Sequence, residues 1–123
     1  MGREMSEHDE QVKLFQWARM SEGRWPELAL LHAIPNGGKR HVAVARKLKA
    51  EGVKAGVPDI CLPVGRSGWN ALYIELKHGR NKATQEQQMW LWALTQEGNR
   101  AEVAYEFEGA RALLEEYLGG TLP

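Results

Sequence analysis

Ala71-Leu72-Tyr73-Ile74-Glu75-Leu76-Lys77, preceded by Pro58-Asp59-Ile60-Cys61-Leu62, decides how this chain is read. Both stretches are short apolar runs rich in strand-forming residues, and each carries acid at one end. Side chains alternate across a strand, so Tyr73, Glu75 and Lys77 point to one face while Leu72, Ile74 and Leu76 point to the other. Gly65-Arg66-Ser67-Gly68 between the runs is a glycine-bounded connector suited to a hairpin, which predicts antiparallel pairing. Such a pairing brings the Asp59 carboxylate beside Glu75. Two carboxylates that close repel unless a cation lies between them, and oxygen donors suit Mg²⁺ or Mn²⁺ rather than zinc.

The remaining elements are placed outward from this pair. Ser6 caps a helix from Glu7 to about Met20, with Val12, Leu14, Phe15, Trp17 and Ala18 on its apolar stripe. Leu28 to Ile34 is read as a strand because it is short and ends at Pro35-Asn36-Gly37-Gly38. His41 to Glu51 has Val44 and Leu48 at helical spacing and Gly52 as a stop, and Gly52 to Pro58 is a loop leading to Asp59. Thr84 with Gln87 three residues on is a capping box opening a helix that ends near Gly98. Ala101 to Phe107 alternates as a strand, and a last helix covers about Gly109 to Leu118. The expectation is a mixed central sheet flanked by helices, an α/β chain of 123 residues forming a single domain with its core at about 6–118.

Composition narrows the class. Hydrophobic residues make up 43% and charged residues 26%, as in ordinary globular domains, and no apolar stretch is long enough to span a bilayer. No membrane partner is expected, and the polar start points to the cytoplasm. Cys61 is a lone cysteine in an apolar run and carries no functional weight. The histidines His8, His32, His41 and His78 show no zinc-ligand spacing.

The net charge of zero conceals a segregation. Lys39, Arg40, Arg46, Lys47, Lys49 and Lys54 face only Glu51, and Lys77, Arg80 and Lys82 face no acid across the run from Lys77 to Lys82. Both basic stretches flank the Asp59 and Glu75 motif. A carboxylate floor with basic margins fits a phosphodiester, since the margins replace counterions. The flanking residues Lys39, Arg40 and Lys54 are therefore candidate phosphate contacts, as are His78, Arg80 and Lys82. Asn36 with Gly37 and Gly38 forms either a plain turn or a loop whose amides approach a phosphate. Trp17 and Trp90 are expected in the core, whereas Trp92 and Trp69 are candidates for partner contact.

Ser6-Glu7 with Gln11, Gly56-Val57-Pro58-Asp59, Ile74-Glu75-Leu76-Lys77, and Gln87 with Trp90 and Leu94 before Gly98, in this order, resemble the virus-type replication-repair nuclease (VRR-NUC) family. The resemblance implies a restriction-endonuclease-like PD-(D/E)XK core. It also implies a Mg²⁺- or Mn²⁺-dependent phosphodiesterase acting on branched DNA, four-way junctions in particular, as a homodimer in a bacterial or phage-infected cell. Carried onto this chain, Asp59, Glu75 and the carbonyl of Leu76 would ligate metal, and Lys77 would orient or deprotonate the attacking water. Glu7 or Glu10, one turn apart on one helix face, would complete the site. Gln87 has two readings, a helix-capping residue and a side chain aimed at the scissile phosphate. Two alternatives share the fold: a restriction-type nuclease that reads base sequence, and a non-catalytic DNA-binding module.

Overall fold

The computed structural model describes residues 5–36 and 41–119. Four strands, β1 (His32–Ala33), β2 (Ile60–Leu62), β3 (Leu72–Lys77) and β4 (Arg100–Tyr105), form one mixed sheet in sequence order. β1–β2 and β2–β3 pair antiparallel, with Ile60 opposite Ile74 and Leu62 opposite Leu72. β3 and β4 pair parallel, which requires the intervening helix α3 (Gln85–Gln96) as a crossover. The other helices are α1 (Glu7–Met20), α2 (Val42–Ala50) and α4 (Glu106–Tyr117). The expected mixed sheet flanked by helices is thus present, and the two motif strands pair antiparallel.

Burial follows the alternation. Leu72, Ile74 and Leu76 of β3 join Leu14 and Ala18 of α1, Ile60 and Leu62 of β2, and Ala110 and Leu114 of α4 in one apolar cluster. The opposite side of β3 is closed off as well, with Glu75 2% and Lys77 7% exposed. α1 opens with a capping box in which the Asp9 amide donates to the Ser6 hydroxyl at 3.2 Å and the Ser6 amide donates to Asp9 at 2.9 Å. The capping box read at Thr84 is present too. Its hydroxyl accepts from the Gln87 amide at 3.1 Å, and its amide donates to Gln87 Oε1 at 2.9 Å.

Four expectations shift. The strand foreseen over Leu28 to Ile34 is reduced to His32–Ala33, because Pro26–Leu30 winds into a 3-10 helix. Pro26 suits a first helical position and Leu28 buries beneath the turn. α4 begins at Glu106, earlier than Gly109, through a tight junction where Glu106 takes a left-handed φ of 62°. Trp69 packs partly buried against the core, leaving Trp92, 67% exposed, as the open indole of the two. Trp90 is half-buried, and α2 and α3 contribute no buried residue.

Ile74→Ala should destabilise the fold by about 2–5 kcal/mol through lost burial and a cavity. Val42→Ala, on the exposed side of α2, should stay within about 0.5 kcal/mol. Denaturant midpoints check both.

Candidate active site

Asp59 directly precedes β2, and the antiparallel register sets it against the far end of β3. Its Oδ2 accepts from the Leu76 backbone amide at 2.8 Å, and its Oδ1 accepts from Asn36 Nδ2 at 3.2 Å. Those two bonds aim both oxygens of a carboxyl that has lost much of its water. Burial raises the Asp59 pKa, with the Leu76 amide and a hydrogen bond to Glu75 acting in the opposite direction.

Glu75 is more deeply placed. Burial and then the Asp59 carboxyl push its pKa up to about 8, while Lys77 pulls it back. Lys77 Nζ stands 3.3 Å from Glu75 Oε2. Glu75 Oε1 is buried with no hydrogen-bond partner. A buried carboxylate oxygen without a donor is costly, and the cost is relieved either by a proton, which the raised pKa favours in the metal-free protein, or by a cation. The donor set of Asp59, Glu75 and the Leu76 carbonyl is all oxygen and therefore fits Mg²⁺ or Mn²⁺. Among the described residues no three His, Cys, Asp or Glu side chains converge into a ready-made metal cage. The fit therefore rests on the carboxyl pair.

A cavity of about 710 Å³ reaches the Asp59 member of this pair, lined in part by Glu7, His8, Gln11, Asn36, Asp59 and Leu76. The structure separates the two acids of α1. Glu7 borders the cavity, and its Oε2 accepts from Asn81 Nδ2 at 3.1 Å. Glu10 is 7% exposed and turned inward, its Oε1 accepting from the Phe107 amide at 2.8 Å. Tyr105, the N-cap of α4, makes no side-chain cap bond, so the Glu10 carboxylate satisfies one of that helix's orphan donors. Its Oε2 lies 3.5 Å from His78 Nδ1, which is equally far from Glu106 Oε2. His78 thus sits among acids at the end of β3.

Gln87 is engaged in the α3 cap described above and does not border the cavity. Lys54, Arg80 and Lys82 are exposed, whereas Lys39 and Arg40, with Gly37 and Gly38, lie outside the described residues. Sequence reasoning missed Asn81 and Tyr105. The Tyr105 hydroxyl donates to the Asn81 carbonyl at 2.9 Å, and Asn81 in turn holds Glu7. The parallel β3–β4 pairing creates this strut, and the only local trace of it was an asparagine in a polar loop.

The family model described as the VRR-NUC domain matches residues 2–107. A solved structure titled "VRR_NUC domain protein" is similar, with 27% sequence identity and a TM-score of 0.79 over 94% of this chain and 90% of that one. No curated protein matches.

The raised Glu75 pKa gives a signed pH dependence for the metal-free protein. Between the ordinary value of 4.5 and about 8, the folded state holds a proton that the unfolded chain releases. Glu75 therefore favours folding fully below about pH 4.5, and its contribution is lost as pH rises through about 8. Urea unfolding in EDTA from pH 5 to pH 9 should show stability falling in the parent relative to Glu75→Gln. Parallel curves for the two proteins would refute the assignment.

Proposed function

The chain belongs to the VRR-NUC family, a family of nucleases, and from that premise we propose that it is a divalent-metal-dependent, structure-selective DNA endonuclease cutting branched DNA, four-way junctions first among them, as a homodimer. The observation that carries the reading is the pairing of half-buried Asp59 with buried Glu75, one Glu75 oxygen being unpartnered and Lys77 lying 3.3 Å from the other. Asp59, Glu75 and the Leu76 carbonyl, with Glu7 completing the site, would hold a divalent ion, and the chemistry such an ion would supply is acidity for the attacking water and relief of charge on the phosphoryl oxygens.

The chain's own groups do the rest. Lys77, fixed by Glu75, holds the attacking water and takes part in its deprotonation. Asn36 and the Leu76 amide orient Asp59, and Asn81 orients Glu7. The basic residues Lys54, Arg80 and Lys82, with Lys39 and Arg40, carry the flanking phosphates. A second copy finds an apolar surface on the outer side of α3, where Met89 is 64% and Trp92 67% exposed. No helix among the described residues is long and apolar enough to cross a membrane.

Labelled four-way junction, flap and linear duplex incubated with Mn²⁺ should show junction cleavage that EDTA abolishes. Lys77→Ala should slow it by about 10²–10⁴-fold. Cutting without metal, or at an unchanged rate in Lys77→Ala, would sink the mechanism. Selection of linear duplex at one base sequence would instead favour a restriction-type reader. Sedimentation equilibrium should return twice the chain mass, and Trp92→Glu should shift it toward the monomer.

A further inference from the structure

A second cleft lies beside the active-site cavity, between α2 and α3. It encloses about 660 Å³, within the range of small-ligand sites, and Leu48, Val53 and Trp90 supply its apolar lining. Lys49 and Lys54 also line it, and both are exposed. Neither helix buries a residue, so packing does not close the cleft from either side.

The cleft is tied to the carboxyl pair at two points. Asn36 borders both cavities, and its amide donates to Asp59 Oδ1 at 3.2 Å. Gly56, three residues before Asp59, lies directly on α3: a Cβ there would fall 2.7 Å from Glu86 Cγ and 3.0 Å from Trp90 Cδ1. The left-handed φ of 88° at Gly56 also favours glycine. The loop delivering Asp59 is therefore seated against the indole that lines the cleft.

We propose that this cleft receives an unpaired nucleobase of the DNA strand being cut, stacked on Trp90, with the adjoining phosphates on Lys49 and Lys54. The proposal rests on the nuclease reading of the neighbouring site and names what that site selects. Charge favours nucleic acid over a protein segment as occupant. α2 carries Arg46, Lys47 and Lys49 with no acid along its length, and Lys54 follows on the same rim. Aromatic faces with flanking cations are the general solution for unpaired bases, because every base has a π-face whatever its sequence. Glu86, the acid of the lining, offers a carboxylate to an exocyclic amino group at the base edge. A paired base cannot enter, so occupancy requires the strand separation found at a branch.

The test uses the full chain with Ca²⁺ in place of Mg²⁺ and two splayed forks that differ at one nucleotide. That nucleotide, unpaired at the branch point, carries a base in one fork and is abasic in the other. By fluorescence anisotropy the parent protein should bind the base-bearing fork about tenfold more tightly. Trp90→Ala should abolish the preference, and Trp90→Phe, which keeps a stacking face and guards against misfolding, should retain most of it. Lys54→Ala should weaken both forks equally. Equal binding of the two forks by the parent, or an undiminished preference in Trp90→Ala, would overturn the proposal. So would a change of oligomeric state in Trp90→Ala with base preference intact, which would give the cleft to a second copy. Cleavage of the same forks in Mn²⁺ is scored separately. Cutting without base preference removes the cleft proposal alone, base preference without cutting removes the nuclease reading, and failure to bind either fork removes both.

Discussion

Two carboxyl groups share the interior end of a strand pair with one lysine, and most of the surrounding arrangement answers that constraint. Burial raises the pKa of both acids, and their mutual repulsion raises Glu75 further. Left to local forces, such a pair would separate or rotate toward water. Here the β2–β3 register forbids separation, because Asp59 is pinned to the Leu76 amide at 2.8 Å. Rotation of Glu75 is opposed by its 2% exposure and by Lys77. The energetic cost falls on the metal-free fold, and the result is a pair of carboxyl groups that the strands already hold together.

The parallel β3–β4 pairing extends that control to the rest of the site. It sets Tyr105 at the level of Lys77, so the tyrosine hydroxyl reaches the Asn81 carbonyl and Asn81 reaches Glu7 on α1. The same strand end leads into α4, whose first turn is satisfied by Glu10 from α1. Acids one turn apart on α1 thus serve different ends. Glu7 faces the cavity, whereas Glu10 joins α1 to α4 and lies beside His78. Replacing Glu10 would loosen the seating of α1, and hence of Glu7, without removing a group that borders the cavity.

This division marks where sequence reading runs out. The motif strands, their antiparallel pairing and the capping boxes are local or near-local, encoded by alternation, glycine-bounded turns and Ser or Thr at helix starts. The partner that distinguishes Glu10 from Glu7 is the Phe107 amide, which is 97 residues away in the chain. No spacing on α1 contains that information. The strand expected through Leu28 failed for the converse reason: Pro26 initiates a tight helix locally, and only the two residues beyond it reach β2. The helical face of Trp90 predicts a core position, whereas the indole is only half-buried. Helical periodicity says which side turns inward, not whether another layer exists to receive it, and here α3 looks across at α2 over an open cleft.

That open cleft changes what selectivity a chain of this size can have. Phosphate contacts by exposed lysines and arginines fix position and orientation, yet they are the same for every duplex. Discrimination between a branch and an intact helix needs an element that only one of them can satisfy. A slot with an indole wall is such an element, since entry demands that a base leave its stack. The cost of unstacking is lowest where pairing is already lost. Because Asn36 borders the slot and also holds Asp59, and because Gly56 seats the Asp59 loop against Trp90, an occupant would press on the groups that aim the Asp59 carboxyl. Shape selection and alignment of the scissile phosphate would then be one event, carried by the few residues between Gly56 and Asp59.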